Sequence, residues 1–530
     1  MGNTGVALAR DGSAPFLNPA TIVRIDDNSL AFSVNFYTFA STTFSGWHQP
    51  GPVDNAQYGN VALNGTSVGT NGFRIYPATL CLFFTIRGVT SEGSNDGGVR
   101  RGRQKLAVCF GSTEFEDVIL PAISFHGTTP LGLTAQTQSV ARDWNRFQAG
   151  PTYSISLGDD FALGASLHGV YTAEDYVFDS NGITAATGGG SVQSSLGASG
   201  AGRAFDLAAI LGATYHRGFI TVGASVQLPA LHVFGTYSAT MHTEYGLAGS
   251  DTATLANGSG SFTAPPPVRF ALGAGAEWRR LVVELDGSFQ VPVGSLSSSL
   301  SGVSTTLAGT AATTTSFNAV YSVPEHPAWN TAAGAEYFVS KSFSVMGGAS
   351  TSLSMLPALA PTMSLGNLMQ ARTSSASASL GIGSYGGGAD LLIGAQLGYA
   401  WGQSMAVNPY ALPNDWAVVD LHSYSVMLIL AGATDLRAIG RAVEKVEKAV
   451  TTGNPELPPV LPPPDAGKAA PKPELPRSDA ADPRNTIDPD RGRAAPAAPA
   501  PPGSTPPTPP SGESLPGPLL DPHNRTFPPK

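Results

Sequence analysis

The chain has 530 residues, a net charge of −9, 62 glycines and only 13% charged residues, against roughly 25% in soluble proteins. The acidic balance excludes a nucleic-acid binder, which needs a basic face to release counterions. No apolar run reaches the ~18–20 residues of a membrane-spanning helix, which excludes a helical membrane protein and leaves one very large barrel or several all-β domains.

The opening residues 2–20, GNTGVALARDGSAPFLNPA, are too rich in Gly and Ala to form a core and too apolar for a solvated tail. They read as a plug packed inside something larger, with 1–28 as an N-terminal hatch. Phe16, Leu17, Asn18, Pro19 and Ala20 are its gating candidates. The proline holds Asn18 extended, where its side chain can accept free amides at a helix start, and Pro19 suits the first helical position. A short turn through Val23 follows before Ser29 opens a strand. No charged n-region or apolar h-region precedes the plug, so a signal peptide is not visible and the natural start is expected upstream.

From 29 to 432 the pattern has period two. Leu30-Phe32-Val34-Phe36, Phe161-Leu163-Ala165-Leu167, Phe270-Leu272-Ala274-Ala276 and Tyr424-Val426-Leu428-Leu430 each put alternate side chains on one apolar face. Such alternation over about ten residues is what a membrane barrel wall requires. Candidate strands cover 29–40, 76–87, 104–112, 144–157, 160–174, 204–216, 218–228, 234–246, 267–278, 281–290, 328–339, 342–352, 375–401 (one long or two short) and 418–432. Single-chain barrels have even strand numbers, so fourteen is expected. Tight turns fall at 157–160, 216–218, 278–280 and 339–342. The Gly/Ser/Asn/Thr-rich stretches 42–71, 179–203, 247–266 and 291–326 read as long loops at the opposite end.

Leu436, Ile439, Val443, Val446 and Val450 then place one apolar stripe on an amphipathic helix over 433–452. Residues 453–530 form a Pro-rich tail with too little apolar content to fold, expected to be disordered. Its role is that of a spacer, with a periplasmic or cell-wall partner as the alternative.

Chemistry-bearing constellations are missing. The nine histidines lack metal-ligand spacing, no phosphate-binding loop follows a strand, and the acid pairs Asp26-Asp27 and Asp159-Asp160 sit at turns. Neither an enzyme nor any cofactor or metal is expected. Cys81 and Cys109 both fall in expected strands. Whether they pair stays open, and plain packing is the expectation for each.

Gly5, Ala7, Ala9, Asp11, Ser13, Phe16 and above all Asn18-Pro19-Ala20 resemble the N-terminal hatch of the outer-membrane long-chain fatty-acid transporters, FadL and the related toluene channels of the TodX type. Strand phrases such as Asp160 to Ala165, Val268 to Gly273, Gly334 to Tyr337 and Ser379 to Gly383 resemble the same family in order. The last strand lacks the usual terminal aromatic, and the helix and Pro-rich tail depart from the family. The resemblance implies an all-β transmembrane antiparallel barrel of about fourteen strands with a lumenal hatch. It also implies an outer-membrane address, outer-membrane lipid around a monomer, and passive uptake of a fatty acid or hydrocarbon. In the family, ligand is taken up in apolar pockets on the outer side, the hatch shifts, and solute leaves sideways through a kinked strand. Gly111 in the third strand is the candidate kink. Two rival readings are a permanently plugged structural or binding barrel and an unselective polar porin, the latter needing Arg- and Asp-lined inward positions.

Overall fold

A computed structural model describes residues 4–25, 28–48, 68–87, 103–129, 132–186, 189–247, 250–359, 371–386, 389–407 and 416–436. All belong to the first of the chain's two units, Met1–Pro455; the second is Glu456–Lys530. Met1, Gly2, Asn3, most of the expected helix and the whole Pro-rich tail lie outside the described residues.

A one-turn helix α1 (Ala14–Leu17) and a 3-10 helix (Pro19–Arg24) are followed by strands alone. These are β1 (Ser29–His48), β2 (Val68–Arg87), β3 (Gln104–Thr129), β4 (Gly132–Leu157), β5 (Phe161–Ala186), β6 (Ser191–Arg217), β7 (Ile220–Gln227), β8 (Leu231–Leu247), β9 (Ser250–Gly260) and β10 (Phe262–Thr263). Then come β11 (Val268–Glu277), β12 (Leu281–Val291), β13 (Leu296–Ala308), β14 (Ala311–Val323), β15 (Ala328–Ser340), β16 (Phe343–Ser352), β17 (Arg372–Gly386), β18 (Ala389–Val407) and β19 (Trp416–Asp435).

Among the described residues, fourteen of these close an antiparallel ring. From β1 to β7 each strand pairs with the next. The ladder then passes from β7 to β11, β12 and β15, continues through β16, β17 and β18, and returns from β19 to β1. The stretch 375–401 is therefore two strands, and β19 runs three residues past 432 to pair Asp435 with Ser29. Closure removes the edges that an open sheet must otherwise protect, save where the β2–β3 ladder ends at Thr79–Gly111.

The remaining strands carry the wall beyond the ring, as β6–β8–β9–β13–β14. The stretches 179–203, 247–266 and 291–326 are consequently strands over most of their length, not long loops. Their Ser and Thr residues supply cross-strand hydroxyl pairs, Thr254–Thr306 and Thr305–Thr314 at 3.0 Å and Thr263–Ser297 at 2.6 Å, so a polar β-branched composition still builds a ladder. The extension is offset from the ring where proline stops the ladder: Pro229, Pro265-Pro266-Pro267, Pro292, and Pro324 with Pro327 lie between consecutive strands.

Outward positions are apolar and exposed, with Leu380 at 72% and Leu272 at 66%, while their neighbours Gly381 and Gly273 face the lumen. Two aromatic girdles border this band. Phe161, Tyr215, Phe219, Trp278, Tyr337 and Phe343 lie by the short turns; Phe147, Tyr171, Phe205, Phe234, Phe289 and Trp329 lie at the other side. Phe161 and Tyr171 are ten residues apart on β5, which at about 3.3 Å per residue and about 40° tilt spans about 25 Å, the height of a barrel's apolar band. The molecule is a transmembrane β-barrel.

Candidate functional site

The N-terminal segment contacts nine strands around the ring, and a chain of some twenty residues reaches nine strands only from inside the lumen. Its own geometry follows from its sequence. The Asp11 carboxylate accepts from the Ser13 amide at 2.9 Å and from the Ser13 hydroxyl, starting the turn of α1. Asn18 is extended (φ −151°, ψ 103°), and its Oδ1 accepts from the Ala20 amide at 3.1 Å, capping the 3-10 helix that Pro19 begins. The other end of the same amide ties the segment together and to the wall, Nδ2 donating to the carbonyls of Val6 (2.6 Å) and Ala213 (3.1 Å). Asn18 is completely buried.

The wall is cut away to receive it. A Cβ added at Gly212 would stand 1.9 Å from Asn18 Oδ1, at Gly164 2.3 Å from the Pro19 carbonyl carbon, and at Gly223 2.0 Å from the Val6 oxygen. Gly273 and Gly275 leave the same room for Val6 and Leu8. Each glycine lies near a short turn, so the segment sits across that end of the barrel.

Polar groups complete the seat. Asp286 accepts from the amides of Gly5 (2.8 Å) and Val6 (3.1 Å), and Glu284, on the same face of β12, accepts from Ala7 (2.7 Å) and Leu8 (3.0 Å). Because these carboxyl oxygens hold backbone, they ask little of the segment's side chains. Glu277 pairs with both Arg10 and Arg24. Burial, and next the nearby Arg10, pulls the Arg24 guanidinium below its ordinary value, with Glu277 opposing. Hydroxyls of Ser154, Ser166 and Ser225 donate to the carbonyls of Ala20, Pro15 and Leu17 at 3.2, 2.9 and 2.6 Å.

Phe16 forms the far corner. Its ring is 5.0 Å from that of His168, its carbonyl accepts from Arg269 at 2.5 Å, and a Cβ at Gly111 would stand 2.8 Å from Cζ. Gly111 has a second property. Among the described residues the β2–β3 ladder runs from Arg87–Gln104 to Thr79–Gly111 and stops, although β1–β2 continues to Val68 and β3–β4 to Thr129. The β3–β4 register shifts by one between Ser112 and Glu114, a bulge next to Gly111. The wall thus forks at Gly111, and Phe16 rests on the fork.

Below it, Cys81 and Cys109 face each other across the same two strands and are joined by a disulfide. Plain packing is corrected by register: inward residues directly opposed on antiparallel strands, with Cα atoms 4.2 Å apart, are close enough to bond.

Toward the opposite end Trp144, Tyr237, Phe262, Leu300 and Ala264 pack into a buried apolar cluster, with Tyr176 and Phe317 beside it. Arg142 and Arg146 flank Trp144, each 5.4 Å from its ring. Both are paired, Arg142 with Glu174 (3.1 Å) and Arg146 with Glu114 (2.7 Å), and Arg146 also donates to the Ala264 carbonyl that the proline break frees. Burial pushes the Glu325 carboxyl up, partly opposed by Arg146. The inner wall therefore carries more charge than the Gly, Ala, Ser and Thr expected, with Arg142, Arg146, Glu174 and Glu114 in ion pairs and Glu277, Glu284, Asp286 and Arg269 holding the N-terminal segment.

Phe16 to Ala20 thus come together with Gly111 in one assembly, Leu17 beside Gly5 and Ala20 fully buried. The seat residues Glu277, Glu284, Asp286, Gly164, Gly212, Gly223 and Gly273 escaped sequence reasoning. A signal existed: Leu163-Gly164-Ala165, Leu211-Gly212-Ala213, Val222-Gly223-Ala224 and Leu272-Gly273-Ala274 repeat one pattern of outward apolar, inward glycine, outward alanine. No metal-binding cluster occurs among the described residues.

No family model and no curated protein matches the chain. Solved structures similar to it include a Pseudomonas aeruginosa FadL homologue (13% identity, 81% of this chain and 95% of that one, TM-score 0.45). They also include the P. putida toluene transporter TodX (12%, 82% and 97%, TM-score 0.47) and the Ralstonia pickettii toluene transporter TbuX (13%, 82% and 96%, TM-score 0.41).

Proposed function

We propose that this protein is an outer-membrane channel for hydrophobic compounds, with the N-terminal segment as its gate and the fork above Gly111 as a side exit. The observation that carries this reading is the seating of Phe16 on Gly111, where the β2–β3 ladder ends. A solute poorly soluble in water gains by passing through the barrel and leaving sideways into lipid without entering the periplasm. The segment closes the short-turn end, which in such barrels faces the periplasm. Between a fatty acid and a neutral hydrocarbon, the pairing of both guanidiniums beside Trp144 favours the hydrocarbon, since neither needs a ligand carboxylate.

The test is uptake of labelled hexadecane and labelled oleate by cells lacking their own transporter, with the intact chain, with residues 2–20 deleted, and with 433–530 deleted. The reading expects uptake with the intact chain, hexadecane above oleate, and a changed rate after removal of 2–20. Unaltered uptake without 2–20 would support the permanently plugged barrel instead.

A further inference from the structure

The Cys81–Cys109 disulfide stands at a place where its strands need no help to pair. Eight register pairs already join β2 and β3, and Cys81–Cys109 is the third from the open end, after Thr79–Gly111 and Leu80–Phe110. A ladder with one free end frays from that end, since each pair lost frees the next. Here fraying meets a covalent bond after two pairs.

The same bond is part of the seat. Cys81 is wholly buried and Cys109 nearly so, and Cys81 Sγ lies 3.3 Å from the Gly12 carbonyl oxygen. A Cβ on Gly12 would stand 2.7 Å from Thr79 Oγ1 and 3.6 Å from that sulfur. Gly12 thus lies across the last pairs before the fork, four residues before Phe16. Below the disulfide, Phe83 and Ala107 pack with Ile22, Ile25 and Ala31 into a continuous apolar cluster.

We propose that this disulfide fixes the lower end of the side exit: the seam parts above it for an apolar solute and stays shut below it, where parting would join the lumen to the short-turn end and admit water and ions. The bond is then a specificity device, keeping an opening for hydrocarbons from becoming a pore for salts. This rests on the fork being the exit, as proposed above.

The test uses the full chain in planar bilayers bathed in potassium chloride and compares the oxidised protein with C81A/C109A. The expected results are a raised potassium chloride current in the variant and about tenfold faster amide exchange across Leu80–Phe83 and Leu106–Phe110. Oxidised and variant proteins with equal currents and equal exchange overturn the proposal. Should the variant fail to assemble, wild-type protein held with its two thiols reduced and unmodified gives the same comparison. A parallel arm measures hexadecane uptake by cells carrying Gly111→Leu. If that uptake is unchanged while the disulfide-free protein leaks, the staple stands and the exit reading falls. If Gly111→Leu alters uptake and removal of the disulfide alters neither current nor exchange, the exit reading stands and the staple falls.

Discussion

Two sectors of the barrel wall use the same small residues to different ends. On the sector from β4 to β12, inward Gly164, Gly212, Gly223, Gly273 and Gly275 have the space of their missing Cβ filled by the N-terminal segment. On β16 to β18, inward Gly381 and Gly394 have wall backbone and Met346 as their nearest neighbours. In the inward rows around them Ser379 lies opposite Gly348 and Gln396, and Ser377 opposite Ser350 and Gly398. What separates the sectors is polarity. The first adds Glu277, Glu284, Asp286, Arg269 and three serines that bind the segment, while the second pairs its hydroxyls across strands, as Ser350 does with Ser377 at 2.9 Å. A glycine row makes room, and its charged neighbours decide whether a chain occupies it.

That contrast can be broken most severely at Gly164. A Gly164→Val side chain would meet Pro19 backbone that has no free space to move into, and overpacking of this kind costs about 1–3 kcal/mol. The expected outcome is an unseated segment, read as rapid proteolysis at Arg10 and raised ion current, with the barrel itself still folded.

Replacing the carboxyl groups while keeping the shape gives a smaller effect. Glu284→Gln with Asp286→Asn turns four carboxyl acceptor contacts into amide ones, at about 1–2 kcal/mol in all, and should speed amide exchange at Gly5 to Leu8 while Phe16 stays protected. Exchange unchanged at those four amides would show that the glycine cradle alone seats the segment.

On the second sector, Ser379→Trp places a large side chain on the inward face of β17. It should slow hydrophobic uptake and leave the exchange of residues 5–25 as in the wild type. A parallel loss of protection in the segment would mean that the two sectors are not independent. The smallest effect is expected beyond the ring, where Thr305→Val removes a 3.0 Å exposed hydroxyl pair worth about 0.2–1 kcal/mol and should leave uptake untouched.

How much of this could be read from the sequence follows the same division. Period-two alternation marked the ring strands because lipid imposes it on every outward position, the even-number rule supplied fourteen although 234–246 lies beyond the ring and 375–401 is two strands, and Asn18-Pro19 gave its own cap because the interactions are local. The extensions were missed because Thr- and Ser-rich strands facing water on both sides lose the alternation that marks a wall. The seat was missed because Glu284 and Asp286 look like ordinary strand acids until residues 280 positions away bring their amides. The disulfide depended on register, which neither cysteine announces by spacing.

The central claim is that Phe16 must leave Gly111 for solute to pass. Its most direct test places 4-benzoylphenylalanine at position 16 and irradiates cells carrying the full chain, measuring hexadecane uptake before and after cross-linking to β3. Uptake that falls to the level of cells without the protein, in proportion to the cross-linked fraction, is the predicted result. Full uptake with Phe16 covalently held to the fork would contradict it.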